Sequence, residues 1–283
     1  PGAGAAFTDI SDDTTQVAAA TLQGLGVVSG TSSTTFSPNE TLTRAQMCAM
    51  AVNAMGLSDQ VSAAGRKTLF SDVSPAAWYN GYVNTAYGEG LVNGYGNGTF
   101  GPDDPVTYGQ VATILLRMLG YTSAEVGSLW PLDYTDFSDG LGLSEGLSLS
   151  PYDPLTRGEA AVLLYRAVLE TVNGTSQPYY ETINGVSSTA EAILLDTDAS
   201  YGGGSGLAMV YLPDGGGITY YAQDRQQSDA LEGYLGTLLF DGAGEVTGFI
   251  PGDGEVRDVT IGSATASTLT ASGSLSAKDT YNI

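Results

Sequence analysis

Two arginines, Arg44 and Arg157, each follow a threonine that opens an apolar run, in Thr43-Arg44-Ala45-Gln46 and Thr156-Arg157-Gly158-Glu159. A threonine with glutamine or glutamate three residues on is a capping box, in which the two side chains satisfy amide donors at a helix start. A guanidinium at the first helical position faces the positive end of the helix dipole, unfavourable by about 0.3–1 kcal/mol. Something must hold it there, either a ligand anion or a carboxylate from a neighbouring segment. Two charge-assisted hydrogen bonds to a carboxylate are within its reach.

Other chemistry is thin. The chain has no histidine, which removes the commonest general base and metal ligand. Its one cysteine, Cys48, lies in the run Ala45-Gln46-Met47-Cys48-Ala49-Met50-Ala51-Val52 and reads as a small buried hydrophobe. Nine Lys and Arg against 31 Asp and Glu give a formal charge of -22. That field repels nucleic acid and anionic lipid, and no apolar run reaches the length of a membrane span. It suits an extracellular surface and is compatible with binding Ca2+, although no cofactor is otherwise indicated. Paired carboxylates occur everywhere in so acidic a chain and identify no catalytic pair, so no enzyme is expected. The small, flexible start, Pro1-Gly2-Ala3-Gly4-Ala5-Ala6, reads as a mature N-terminus after removal of a signal peptide.

The elements that must position the arginines recur. Phe36-Ser37-Pro38…Thr43-Arg44-Ala45-Gln46, Phe100-Gly101-Pro102…Thr107-Tyr108-Gly109-Gln110 and Leu149-Ser150-Pro151…Thr156-Arg157-Gly158-Glu159 align without gaps. Each leads into a helix apolar on nearly all sides, as in Val111–Leu119 and Ala160–Leu169. One repeat cannot bury such a helix alone; three packed together can. Upstream lies a second recurring piece. Phe70-Ser71-Asp72-Val73 leads through Trp78-Tyr79 to the Gly-rich turn Gly94-Tyr95-Gly96-Asn97-Gly98-Thr99-Phe100. Repeat one offers Phe7-Thr8-Asp9-Ile10 and Gly26-Val27-Val28-Ser29-Gly30, and repeat three offers only Trp130-Pro131 and Gly140-Leu141-Gly142-Leu143.

This pattern resembles the S-layer homology family, as three tandem repeats with degenerate second and third copies, over about residues 7–57, 70–120 and 129–172. The resemblance implies a pseudo-threefold spindle and attachment to secondary cell wall polysaccharide, often carrying pyruvate ketals, in grooves between repeats. Carried over residue by residue, it implies Arg44, Asp72, Trp78, Gly94, Tyr95, Gly96 and Arg157 as glycan-binding residues, with Asp9 a weaker member. Tyr108 stands where the family has arginine, and Tyr134-Thr135-Asp136-Phe137 does not supply the missing opener. Trp130, ahead of Pro131, is expected in the core.

From about Thr175 helical runs give way to Gly, Thr, Tyr and Val, across a stretch of linker composition, Asn173-Gly174-Thr175-Ser176-Gln177-Pro178. Strands are expected at Ala192–Leu195, Leu207–Leu212, Ile218–Ala222, Tyr234–Phe240, Glu245–Ile250 and Glu255–Ile261. Asp196-Thr197-Asp198-Ala199-Ser200 begins like a calcium loop, but Tyr201 and Leu207 replace the required glycine and acid, and a plain turn is expected. The tail from Ser263 to Ile283 reads as a frayed end or a strand donated to a neighbour. The fold class is therefore α+β multidomain, a three-repeat helical spindle over 1–174 followed by a small antiparallel all-β barrel or sandwich over 179–283. The expected function is a secreted protein of the bacterial cell surface that anchors to wall polysaccharide. The alternative is a self-assembling surface-layer or filament subunit whose repeats contact other copies or other surface proteins instead of glycan.

Overall fold

A computed structural model describes residues 4–65, 67 and 69–252, and the backbone of 260–264, 268–272 and 280–282. Eight helices come first: α1 (Asp13–Gly24), α2 (Arg44–Ala54), α3 (Ser58–Ala64), α4 (Asn80–Gly88), α5 (Tyr108–Met118), α6 (Ser123–Val126), α7 (Leu132–Gly140) and α8 (Arg157–Leu169). The capping boxes form as expected. Thr43 accepts from Gln46 N while Gln46 Oε1 accepts from Thr43 N, Thr156 and Glu159 repeat the exchange, and Gln110 accepts from Thr107 N.

Helices α2, α5 and α8 share one core. Met47, Cys48 and Ala51 of α2, Val111, Ala112 and Leu115 of α5, and Ala160, Ala161 and Leu164 of α8 are all buried in it. Burial pushes the Cys48 thiol up to about 12, against the pull of Arg44, so it stays a protonated packing group.

Ahead of these helices the three capping segments exchange backbone hydrogen bonds in a closed cycle. Leu42 N donates to Leu155 O, Leu155 N to Val106 O, and Val106 N to Leu42 O, each at 2.9 Å. The next amides continue the scheme. Arg44 N and Ala45 N donate to Asp104 O and Pro102 O, Tyr108 N and Gly109 N to Asp153 O and Pro151 O, and Arg157 N and Gly158 N to Glu40 O and Pro38 O. The first two amides of each helix, which have no partner inside it, are thus satisfied by the proline turn of another repeat.

The second part is a five-stranded antiparallel sheet of β1 (Ser188–Tyr201), β2 (Gly204–Leu212), β3 (Gly217–Tyr221), β4 (Leu235–Phe240) and β5 (Val246–Pro251), in the order β3-β2-β1-β4-β5. A separate sheet holds β6 (Thr260–Ala264), β7 (Thr268–Ser272) and β8 (Thr280–Asn282). The strand expected over 255–261 lies outside the described residues up to Val259, as do Pro1–Ala3 and the parts of the tail between these strands. Asp196–Ser200 is not a turn: it continues β1, with register shifts between Leu194 and Asp196 and between Asp196 and Ala199. Bulges absorb the extra residues there, so polar spacing that suggests a loop is accommodated in a strand.

The sheet packs on the helices by two routes. Val17 and Ala20 of α1 meet Ala192, Leu194, Val210, Leu238 and Phe249. Leu239 and Ile250, on the other face, join the helical core. The stretch with linker composition folds back tightly, with Val172 N donating to Gln177 O and Tyr179 N to Glu170 O.

Candidate functional site

The opener aspartates set the proline turns. The carboxylate of Asp72 accepts from Phe100 N (2.8 Å) and Gly101 N (2.7 Å), and that of Asp9 accepts from Phe36 N (2.8 Å) and Ser37 N (2.7 Å). Burial raises the pKa of each, but the backbone donors outweigh it and hold both carboxyls below their ordinary value. No opener reaches the turn of repeat three, where Asp153 from within the turn accepts from Ser150 N.

On each fixed turn sits the first side chain of another repeat's helix. Arg44 donates from Nε to Phe100 O (3.0 Å) and from Nη2 to Asn93 O (3.1 Å), and its guanidinium lies over the rings of Phe100 and Tyr95 at 4.5 and 4.8 Å. Arg157 donates from Nε to Phe36 O (2.9 Å) and from Nη2 to Ser29 O, and lies 4.4 Å over Phe36. Burial lowers the Arg157 pKa, with Glu40 opposing. Of the two expected partners, a ligand anion or a neighbouring carboxylate, the second is replaced by carbonyl oxygens and ring faces, which satisfy a guanidinium without neutralising it. At the third junction Tyr108 is buried and its phenol donates to Asp139, which also accepts from Ser144.

The Arg44 junction opens into a cavity of about 570 Å³. Arg44, Asn93 and Tyr95 line one side, Gln110, Thr113 and Arg117 of α5 another, and Trp130 and Tyr134 the third. Arg117 is fixed by donating to Gly90 O and Leu91 O, both at 3.0 Å. Trp130 is 53% exposed, so the expectation of a core residue is corrected. Pro131 fills the inner position beside Gly109, and the indole is turned outward with Nε1 donating to Thr113 Oγ1 at 3.1 Å. Tyr95 donates to Asp104 at 2.7 Å.

Of the residues implied by resemblance, Arg44, Gly94 and Tyr95 come together in this cavity. Asp72 is close enough for the Arg44 charge to act on it, but its oxygens are taken up by the turn. Trp78 is 61% exposed against Tyr79 and Tyr82 and does not line the cavity; Arg157 belongs to another junction. Gly94 has a packing reason and Gly96 a conformational one. A Cβ on Gly94 would stand 2.5 Å from Phe70 Cε1, while Gly96 has φ 81° and open space around it. Trp130, Gln110, Thr113 and Arg117 were missed as site residues. Trp130 was findable: it precedes α7 by the same two positions by which Trp78 precedes α4.

A family model for the S-layer homology domain matches residues 6–48 and 69–112. A cell surface protein of Thermoanaerobacter kivui is 33% identical over 199 residues, 68% of this chain and 26% of that protein. A middle cell wall protein of Brevibacillus brevis is 31% identical over 147 residues, 52% and 14% of the two chains. An endoglucanase of a Bacillus species is 29% identical over 155 residues, 55% of this chain but 14% of the enzyme. The chain thus spans about a quarter or less of these relatives. Through its two matched repeats the chain carries S-layer homology domains.

Proposed function

We propose that residues 1–174 form a pseudo-threefold spindle of three repeats that holds a bacterial cell-surface protein to an acidic wall polysaccharide, and that residues 179–283 form a β-rich part it carries. The observation that supports this most is the cavity at Arg44. A cationic guanidinium with no ion pair among the described residues, an outward indole and the polar ends of Gln110, Thr113 and Asn93 converge there. A ketal carboxylate suits the guanidinium, and a sugar ring has an apolar face to set against the indole.

The three junctions differ in what they offer. Tyr108 puts a neutral phenol beside Asp139, an arrangement that repels a carboxylate. Arg157 has a guanidinium like that of Arg44, so it is the second candidate groove. The shared piece is a small fraction of the enzymes it resembles, in keeping with a non-catalytic module.

The test is a pull-down with purified wall polysaccharide from a Gram-positive cell wall. Wild type should be retained, and Arg44→Ala should not. Retention of Arg44→Ala at wild-type levels would refute a role for this groove. Absence of binding by folded wild type would remove the anchoring reading altogether.

A further inference from the structure

Five Asn-Gly pairs occur in the chain, beginning at Asn80, Asn93, Asn97, Asn173 and Asn184. In such a pair the glycine nitrogen can attack the asparagine side-chain amide, because no Cβ stands in its way. The fold holds four of the five side chains away from that reaction. The Asn80 amide is buried and donates to Gly65 O and Lys67 O. Asn173 donates to Gly120 O and Glu125 Oε1, and Asn184 donates to Gly56 O. Asn97 Oδ1 accepts from the amide and the hydroxyl of Thr99. Asn93 differs from all of these. It is exposed, its side chain makes no hydrogen bond among the described residues, and Gly94 N donates none there either. Arg44 Nη2 meanwhile donates to Asn93 O at 3.1 Å. That oxygen belongs to the same peptide unit as Gly94 N, so the cation on it stabilises the deprotonated amide and makes its proton easier to remove.

We propose that Asn93 is a self-modification site, converted by water to isoaspartate with the help of Arg44, and that the product closes the Arg44 groove to acidic ligands. Gly94 N loses its proton to hydroxide and bonds to Asn93 Cγ, and the side-chain nitrogen leaves as ammonia, giving a cyclic imide. Water then adds to one of the two imide carbonyls and breaks its bond to the Gly94 nitrogen. The carbonyl held by Arg44 is the more polarised of the two, so it is the one that opens. The main chain then runs through the former side chain, and the α-carbon carries a free carboxylate where Asn93 O stood, opposite the guanidinium. A neutral acceptor has become an anionic one, bound by a charge-assisted hydrogen bond, and the cation of the groove is neutralised from within. The other charges near the turn do not compete for Arg44. Asp72 is engaged by Phe100 N and Gly101 N, Asp104 by the Tyr95 phenol, and Arg117 is a second cation.

The modification is independent of glycan binding; only its consequence rests on the reading of the Arg44 groove. The test is ageing of the folded full chain at mildly alkaline pH, followed by peptide mapping for the mass gain of amide-to-acid exchange and by isoaspartyl methyltransferase labelling. Asn93 should react ahead of the other four by about fivefold or more. In urea, where local sequence alone acts, the five rates should converge. Arg44→Gln, checked for folding by circular dichroism, should slow the reaction at Asn93 by about threefold or more, whereas Arg157→Gln should leave it unchanged. Should Arg44→Gln not fold, the order of the five bonds in wild type decides. The modified fraction of an aged sample, separated by anion exchange, should lose retention on wall polysaccharide, and the unmodified fraction of the same sample should keep it. An Asn93 no faster than the other four in the folded chain, or equally fast in folded Arg44→Gln, would overturn the modification. Full retention of the modified fraction would overturn the closing of the groove. Fresh wild type that is not retained would refute the groove reading, and the Asn93 rate, read by mass, would still decide the modification.

Discussion

Arg157 reaches back 121 residues to donate to the carbonyl of Phe36, while its guanidinium covers the ring of the same residue. The last repeat thereby closes on the first in the manner in which Arg44 of the first closes on Phe100 of the second. Equivalent stapling leaves different surroundings, and the expected effects of substitution follow from those differences.

Trp130 contributes an exposed indole and one hydrogen bond to Thr113. Trp130→Ala should change thermal stability by only about 1 kcal/mol while reducing polysaccharide retention at least tenfold. Trp130→Phe should restore part of the binding. Chemical denaturation beside a retention assay separates the two effects.

Tyr108 is the neutral replacement for arginine at the middle junction. Burial, with help from the Asp139 bond, pushes its phenol up to about 12. A group whose folded pKa lies above its unfolded value near 10 stabilises fully below that value, and the contribution is lost as pH rises through 10 towards 12. Tyr108→Phe should therefore lower stability by about 1–3 kcal/mol at neutral pH, because Asp139 loses a donor. It should also flatten the decline in melting temperature at alkaline pH.

Asp9 and Asp72 have the opposite sign. Their folded pKa values lie below the unfolded one, so their stabilisation is present above about pH 4 and is lost as pH falls through the folded values. Asp72→Asn and Asp9→Asn should each remove part of the loss seen in an acid melting series. Each should also lower stability at neutral pH by about 1–3 kcal/mol, because the asparagine oxygen keeps one weaker bond to a backbone amide while its NH2 group, a donor, cannot accept from the other.

Gly24 tests the joint between the helices and the sheet. A Cβ there would stand 2.2 Å from Oε1 of the buried Gln227. Gly24→Ala should destabilise by about 1–3 kcal/mol, and the pair Gly24→Ala with Gln227→Ala should recover much of that loss. Additive losses in a double-mutant cycle would count against this contact.

What could be read in the sequence was what is local. The capping boxes at Thr43, Thr107 and Thr156 need only four residues each, and all three formed. The strands Leu207–Leu212 and Ile218–Ala222, and Tyr234–Phe240 and Glu245–Ile250, are bounded by glycine-rich turns that carry their own signal, and they too pair close to where expected. Partners across repeats were harder. The carbonyls that hold Arg44 and Arg157 have no side-chain signature, so only a ligand anion or a carboxylate could be named for that place. Trp130 was assigned to the core because tryptophan usually is, yet Pro131 takes the inner position. The length of β1 was hidden because Asp196-Thr197-Asp198 looks like a loop, and only bulges keep it within the sheet.

The Leu42–Leu155–Val106 cycle of hydrogen bonds leaves none of the three capping segments, nor the helices α2, α5 and α8 that follow them, at an end. In a linear array of repeats the outermost units fray first, and unfolding spreads inward from them. Here no unit is outermost, so opening any one junction exposes the flanks of both others. Amide exchange in α2, α5 and α8 should accordingly share one protection level set by global unfolding.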